Sequence, residues 1–457
     1  MMDLHSILKK KNNRNAYVIF TREPVAGTTK TRLMPFYSAE KCAELHRCFL
    51  RDLAGEAKKV HADIIIAYTG SEPVFLRETF GSRAKYIAQR GNDLGQKMEN
   101  AFADAFEMGY DRIILTGTDI PELKAKTVNA AYEMLDAYDI VLGPTEDGGY
   151  YLIGMSSLHH EAFDVKLYGV STVFEETKAS IMDSGLSVGI ADEYSDIDEK
   201  EDIEGLMDRV RADRSVIGPD TGRFLKNNMT VSIIIPVYNE SHNIGSMMDQ
   251  LRPYKDDAEI IFVDGESTDG TVSQIGDEFR VICCEKGRGR QMNEGALASG
   301  GEVLFFLHCD SVIPEDFLSE IRACMMRKPY GCFGVKFDSH NFFMFTNRII
   351  SNHRALFRGL AFGDQGIFID RKLFFDAGSF PELPVMEDYG FSRKMKSMGY
   401  RPVMTRRRIL TSSRRYGKGT VSILKTEMLM WYLRMLYRHG ADPEELIEMY
   451  GDIREKY

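Results

Sequence analysis

The chain has no apolar stretch long enough to cross a bilayer. Any membrane contact is therefore expected to be peripheral at most. Its opening residues, M-M-D-L-H-S-I-L-K-K-K-N-N-R-N, lack the apolar segment of a signal peptide and read as a frayed polar terminus. Cysteine is scarce and unpatterned. The seven include an adjacent pair, Cys283 and Cys284, and none has the spacing of a zinc site. An odd count without pattern fits reduced thiols and a cytoplasmic location. Excess positive charge is also missing: a net charge of −10 argues against general nucleic-acid binding, and the basic residues cluster only locally. At 457 residues the chain is too long for one ordinary core, so two domains are expected. With 44% hydrophobic and 28% charged residues, its composition is that of a globular protein.

What the sequence does contain is one acidic strand end, built twice. Val303 to Leu307 is an apolar run that leads into His308, Cys309 and Asp310, with Pro314 to stop the pairing. Residues 113–121, I-I-L-T-G-T-D-I-P, repeat the design with Asp119 and Pro121. A carboxylate at the C-terminal end of a buried strand lies where open α/β sheets bind ligands. It is costly to bury without a partner, and a divalent metal is a common one. Two such strand ends imply two sites on two related domains.

In the first half, Ala16 to Phe20 reads as a strand, followed by T-R-E-P-V-A-G-T-T-K-T-R-L (21–33). Gly27 permits a tight turn, small polar neighbours leave N–H groups for an anion, and Lys30 and Arg32 add positive charge. This makes a phosphate cradle without the Walker ending; a solvated basic loop is the equal alternative on composition. Q-R-G-N-D-L-G (89–95) supplies two glycines and Asp93 ahead of an amphipathic helix. G-P-T-E-D-G-G-Y-Y-L-I-G (143–154) places Glu146 and Asp147 before paired glycines, as either a ligand loop or a tight hairpin. Asp196 and Asp198, two apart in an extended segment, share one side. They either bind metal or cap the next helix. Residues 216–228, with Gly-Pro and Thr-Gly, read as a linker without helix between domains at 1–215 and 229–457.

In the second half, V-S-I-I-I-P-V-Y-N-E (231–240) is a buried strand expected to end at Pro236, with Tyr238 and Glu240 beyond it. Glu259–Val263 is another, running into Asp264, a ligand-side acid or a helix cap, the latter role open to Ser267 as well. In E-K-G-R-G-R-Q-M-N-E-G-A (285–296), Lys286, Arg288 and Arg290 alternate with glycine at a helix start, which favours phosphate. Glu387 and Asp388 open a helix after a proline-rich turn. Arg406, Arg407, Arg408, Arg414, Arg415 and Lys418 form a basic run, solvated or placed to neutralise a diphosphate. Val421 to His439 reads as an amphipathic helix whose face Leu424, Met428, Trp431, Tyr432, Met435 and Leu436 docks on the domain. The same aromatic and basic residues would also suit a peripheral membrane interface.

The ordered set of first-half motifs, closing with D-I-D at 196–198, resembles the radical-SAM/selenodomain-associated transferase 1 family, which is nucleotidyltransferase-like with a GT-A-like fold. The resemblance implies that Lys30 contacts phosphate and that Asp119 and Asp198 hold a metal, with Gly27, Arg32, Asp93 and Asp147 around the substrate. The second half resembles family 2 glycosyltransferases. It is similar in particular to the selenodomain-associated transferase 2 family through G-R-G-R-Q-M-N-E-G (287–295), G-D-Q-G-I-F (363–368), P-V-M-E-D (384–388) and S-S-R-R-Y (412–416). That likeness implies Asp388 as catalytic base with Glu387 beside it, and Asp310 with His308 as ligands of Mg²⁺ or Mn²⁺. Pro236, Tyr238, Glu240, Asp264, Arg288, Arg290, Asp364, Gln365, Arg414 and Arg415 would then meet the donor. His308 replaces the first acid of the usual Asp-x-Asp pair. The expectation is an α/β chain of two tandem GT-A-like domains with mostly parallel sheets. The second would move a sugar from a nucleotide-diphospho-sugar to an unidentified acceptor. The first would make that donor from a nucleoside triphosphate and a sugar phosphate, or else serve as a non-catalytic binding module.

Overall fold

The computed structural model describes residues 14–442 except 71, 166–167, 340 and 413–419, together with 446, 447 and 449. The chain divides into two compact units, 1–225 and 226–457. Each is built on a seven-stranded mixed sheet. In unit 1 the strands are β1 (Asn15–Arg22), β2 (Asp63–Thr69), β3 (Lys85–Ala88), β4 (Arg112–Thr116), β5 (Ile140–Pro144), β6 (Tyr150–Met155) and β7 (Val188–Ile190), in the order β3-β2-β1-β4-β6-β5-β7. In unit 2 they are β8 (Val231–Val237), β9 (Glu259–Asp264), β10 (Arg280–Cys283), β11 (Val303–Phe306), β12 (Tyr330–Phe337), β13 (Ile367–Asp370) and β14 (Val403–Thr411), in the order β10-β9-β8-β11-β13-β12-β14. The two orders coincide position by position. In each sheet one strand, β6 or β13, runs against both neighbours and the other pairings are parallel.

The sheets form because their central strands are apolar on both faces. In β1, Tyr17 and Ile19 belong to one core cluster and Ala16 and Val18 to another, as the two-residue period requires. The helices around the unit 1 site include α1 (Ala39–Ala57), which carries His46, and α3 (Leu94–Glu107), with α2 (Val74–Phe80) and α4 (Lys200–Ala212) elsewhere in the unit. Ser38 caps α1 by accepting from the Lys41 N–H at 3.3 Å. One side-chain amide is duplicated along with the sheet. Gln89 Nε2 donates to Thr21 O (2.8 Å) and Ala67 O (2.9 Å), while Gln291 Nε2 donates to Val237 O and Val263 O (both 2.8 Å). Each glutamine clamps the C-terminal ends of two parallel strands by donating to one carbonyl of each.

Three local expectations change. The stretch read as a linker contains a helix, α5 (Pro219–Asn228). Pro219 stands at its first position, where the missing N–H costs nothing. Asp52 accepts from the N–H groups of Asp220 (3.1 Å) and Thr221 (2.8 Å), and burial of Phe224 and Leu225 offsets Gly222 inside the helix. The boundary between the units falls within α5, after Leu225. Second, β8 runs through Pro236 to Val237, still in register with β9. Pairing of β8 with β11 has already ended at Ile234, so the missing Pro236 N–H interrupts no ladder. Third, the final described helix, α9 below, docks through a different face from the one expected.

Candidate active sites

In unit 1 the acidic strand end opens on a cavity of about 740 Å³, lined among others by Thr21, His46, Gln89, Asp119, Tyr150 and Asp198. Gly27 turns the 21–33 loop at φ 85°, and Lys30 follows at φ 53°, an uncommon conformation for a residue with a Cβ. That backbone turn sends the Lys30 side chain inward, where it is 3% exposed. Its Nζ is ion-paired with Asp119, bonds Asp198 Oδ1 at 3.0 Å and donates to Ile197 O at 2.6 Å. Two carboxylates 79 positions apart thus converge on one buried ammonium. Burial pulls the Lys30 ammonium down, but Asp119 and Asp198 outweigh it and hold its pKa above the ordinary value. Burial pushes Asp119 up, yet Lys30, His46 and Arg22 keep it below the ordinary value. His46 lies beneath the pair, 3% exposed, with Nε2 3.3 Å from Thr21 Oγ1. Burial lowers its pKa to about 4.

The remaining unit 1 candidates divide. Asp198 faces Lys30; the following helix α4 is capped by Glu199, so the capping alternative is not realised for Asp198. Arg32 lies 3.9 Å from both Asp198 and Glu199. Asp93 lines the cavity but caps α3, accepting from Gln96 N at 2.8 Å. Asp147 serves the hairpin: it accepts from Thr145 Oγ1 (2.6 Å) and Gly149 N (3.0 Å). Asp196 is half-buried; desolvation, then Asp147 and Asp198, raise its carboxyl to about 6.

In unit 2 the relevant helices are α6 (Arg288–Ala298), α7 (Phe342–His353), α8 (Glu387–Ser397) and α9 (Thr420–Arg438). Asp264 ends β9 and is 3% exposed. Its Oδ2 accepts from Ser267 N at 2.9 Å, and its buried Oδ1 has no hydrogen-bond partner in the structure. The helix after it is served instead by Asp269, which accepts from Thr271 N at 3.1 Å. Pro236 and Tyr238 flank this strand end. Tyr238 lies under the Lys286 ammonium, 3.9 Å from ring centroid to Nζ. Glu240 accepts from its neighbour Asn243.

The arginines of α6 are engaged by acids. Arg288 Nη1 meets Glu387 Oε1 at 3.2 Å, and Arg290 pairs with Glu382 at 3.0 Å and with Glu285. Glu387 is 3% exposed and ion-paired, so it holds α8 against α6 and does not face an acceptor as the expected catalytic partner would. Asp388 is different. Its Oδ2 accepts from Gly363 N at 2.7 Å and its Oδ1 from Tyr389 N at 2.6 Å. Gly363 is glycine for a spatial reason: a Cβ there would lie 2.8 Å from His308 Nε2 and 3.3 Å from Asp388 Oδ2. His308 and Asp388 therefore converge on one backbone position, with Asp310 two residues beyond His308. Asp364 is half-buried. Gln365 is fully buried, its Oε1 accepting from Phe362 N at 3.3 Å, so it braces the loop from beneath and meets no donor. Arg414 and Arg415 lie outside the described residues.

Two profiles match the chain. Residues 53–169 match "Uncharacterized protein conserved in bacteria (DUF2064)", and residues 232–380 match "Glycosyl transferase family 2". The chain is a fusion of these two families. Over 190 residues it is 27% identical to the 2-phospho-L-lactate guanylyltransferase of Methanothermobacter thermautotrophicus, spanning 40% of this chain and 82% of that protein. It is 32% identical to a Desulfovibrio desulfuricans G20 protein provisionally named a nucleotide-diphospho-sugar transferase, covering 47% of this chain and 94% of that one, with a TM-score of 0.45. The glucosyl-3-phosphoglycerate synthase of Mycobacterium tuberculosis, solved with Mn²⁺, UDP and glucosyl-3-phosphoglycerate, is 18% identical over 49% of this chain and 84% of its own, with a TM-score of 0.36.

The fused transferase therefore carries a guanylyltransferase-like domain followed by a family 2 glycosyltransferase domain. The matched segments include Asp119 and the His308–Asp310 strand end, but stop short of Lys30, Asp198 and Asp388. Sequence reasoning gave Thr21, His46, Gln89 and Gln291 no role. Both glutamines stand inside the quoted glycine motifs, which was the available signal. Among the described residues no three His, Cys, Asp or Glu side chains form a metal-binding group. The donor sets still suit a hard cation. Asp119 and Asp198 already share one cation in unit 1, and Asp310 offers a carboxylate at the strand end of unit 2.

Proposed function

We propose that the family 2 domain transfers a sugar from a nucleotide-diphospho-sugar to a hydroxyl acceptor, with Asp388 as base. The acceptor oxygen attacks the anomeric carbon, its proton passes to Asp388, and the bond to the diphosphate breaks. The observation that carries this reading is the anchoring of Asp388. One oxygen is fixed by the Gly363 N–H beside His308, so the carboxylate is held at the strand end that bears Asp310. Asp310, with His308 adjacent, would hold Mg²⁺ or Mn²⁺, which supplies positive charge to the leaving diphosphate. Asp264, Tyr238 and Lys286 would flank the nucleotide. Arg288 would reach the phosphates from its place on Glu387, and Arg290 only on leaving Glu285 and Glu382; Arg414 and Arg415 would contribute positive charge as well.

The first domain is proposed to be a nucleotidyltransferase. A phosphate oxygen of a phosphorylated substrate attacks the α-phosphorus of a nucleoside triphosphate and pyrophosphate leaves. Similarity to the guanylyltransferase supports this, as does a polar cavity at the acidic strand end. Asp119 and Asp198 would hold the divalent cation that such a triphosphate brings, and Lys30 would then be released toward phosphate. With a sugar phosphate as substrate, this domain would make the donor that its neighbour consumes. One observation favours a second reading, a non-catalytic binding module: the Lys30 ammonium already fills the place between the two carboxylates.

The test is diphosphate release from a panel of nucleotide sugars, with and without Mn²⁺, beside pyrophosphate release from nucleoside triphosphates with sugar phosphates. Asp310→Ala and Asp388→Asn should each abolish sugar transfer with folding intact. Asp119→Ala should abolish only pyrophosphate release. Release of nucleotide diphosphate that survives Asp310→Ala defeats the first assignment. Absence of pyrophosphate release from every pair leaves the binding reading for unit 1.

A further inference from the structure

The last described helix turns its apolar side the wrong way for a core. Leu433 of α9 is fully buried and packs with Tyr389 of α8, and Tyr437 stacks edge-on to Tyr389 at 5.8 Å. Four of the six residues named from sequence point outward instead, while Leu436 packs with the buried cluster and Met435 is half-buried. Met428 is 72% exposed and Trp431 57%, with Leu424 and Tyr432 also exposed. Helix α7 does the same. Phe342 is 73% exposed, with Phe345 and Ile349 about half exposed. The two helices meet at their N-terminal ends. Asn341 Nδ2 donates to Thr420 Oγ1 at 3.4 Å, and Met344 and Ile423 share one buried cluster. Single exposed apolar residues are ordinary, but two adjoining helices that both expose large ones make a patch that expects a partner.

The charge on these helices selects the partner. Residues 342–358 and 420–438 hold six Lys and Arg against one acid, Glu427, inside a chain of net −10. Arg354 and Arg434 turn to the Phe362 ring, which leaves Arg358, Lys425 and Arg438, all exposed, and the half-buried Arg348. Glu427 is half-buried, with its Oε1 buried. Arg348 lies over the Phe345 ring at 4.5 Å, and Lys425 is exposed one residue after Leu424. A second copy of the chain seated on this face would set the same cations against each other. An anionic lipid surface would neutralise them while taking up the Trp, Phe and Leu side chains. No described helix is long and apolar enough to cross a membrane, so the fit is to the interface and not to the bilayer core.

We infer that α7 and α9 form an amphipathic platform that docks the family 2 domain on an anionic lipid surface. The platform adjoins the proposed base. The chain leaves α7 through Arg354, which stacks on Phe362 at 3.5 Å, and reaches Gly363, whose N–H holds Asp388. Docking would thus place the acceptor side of the site at the lipid surface. The inference does not rest on sugar transfer, because lipid binding is read without turnover.

Trp431 is the only tryptophan, so the wild-type chain reports on the patch directly. The full chain should sediment with vesicles of phosphatidylglycerol and phosphatidylcholine, and its emission should shift to the blue. Phosphatidylcholine alone should do neither, and added salt should reverse binding. The double variant Phe345→Glu with Met428→Glu should lose both signals with unchanged circular dichroism. Should it misfold, Lys425→Gln, at an exposed position, should lower partitioning about fivefold. Failure of the wild type to sediment with anionic vesicles overturns the proposal. So does a blue shift that grows with protein concentration without vesicles and accompanies a dimer mass in ultracentrifugation, which would assign the face to a second copy.

Discussion

Replacing Lys30 by methionine should cost less stability than neutralising both of its partners. Lys30→Met leaves Asp119 and Asp198 facing each other without their cation. Their side chains are 47% and 35% exposed, so water in the cavity can solvate them. The loss should be about 1–3 kcal/mol, below the roughly 3–5 kcal/mol of a fully buried pair that loses one member. The double variant Asp119→Asn with Asp198→Asn leaves the ammonium, 3% exposed, with the Ile197 carbonyl and two neutral amides, and belongs at the upper figure. For a unit of this size each kcal/mol moves the melting temperature by about 2–4 °C, so differential scanning calorimetry separates the two variants. Lys30→Met also frees two carboxylates that converge on one point. Mn²⁺ should therefore raise its melting temperature more than it raises that of the wild type. Because Asp119 is held below its ordinary value, the wild-type pair persists at neutral pH and is lost only as pH falls below the usual carboxylate range. A Lys30→Met variant as unstable as the double variant, or unmoved by Mn²⁺, would refute the reasoning that the carboxylates are a solvated cation site and the lysine its placeholder.

His46, lowered to about 4 from 6.5, is neutral in the folded state at pH 7. Its contribution is complete above pH 6.5 and is lost as pH falls from 6.5 toward 4, by up to about 3 kcal/mol. Urea titrations of His46→Gln should show a flatter pH dependence over that window. Gly363→Ala places a Cβ 2.8 Å from His308 Nε2 and against Asp388, so sugar transfer should fall more than tenfold for a stability loss of about 1–3 kcal/mol. A fully active Gly363→Ala enzyme would remove Asp388 from its proposed position. Gln89→Leu and Gln291→Leu should each cost about 1–3 kcal/mol in chemical denaturation, since each removes two hydrogen bonds to strand carbonyls. A neutral Gln291→Leu with a costly Gln89→Leu would show that the duplicated clamp serves only the first unit.

The two-domain α/β architecture was legible because it is written locally. β1, β4, β8 and β11 are continuous apolar runs, each followed within four residues by a proline, an acid or a turn, and that pattern needs no distant partner to be read. The same locality exposed Asp119 and Asp310, and the repeated strand end announced the repeated sheet order. Sequence proximity failed where a side chain chose between partners far along the chain. Lys30 was read toward phosphate, yet it lies between Asp119 and Asp198 because the left-handed turn at Lys30 directs it inward. Arg290 was read toward phosphate and meets Glu285 and Glu382, and Glu387 was read as catalytic and meets Arg288. Only tertiary packing could also choose between the faces of α9. That helix carries Leu429, Met430 and Leu433 as well as the face named from sequence, so periodicity does not say which side docks. The position of Tyr389 decides it, burying Leu433 and leaving Trp431 and Met428 outward. Sequence determined which residues carry charge and where strands end, because those depend on neighbours within a few positions. Which charges neutralise one another, and which apolar face stays uncovered, depend on distances that exist only once the chain has folded.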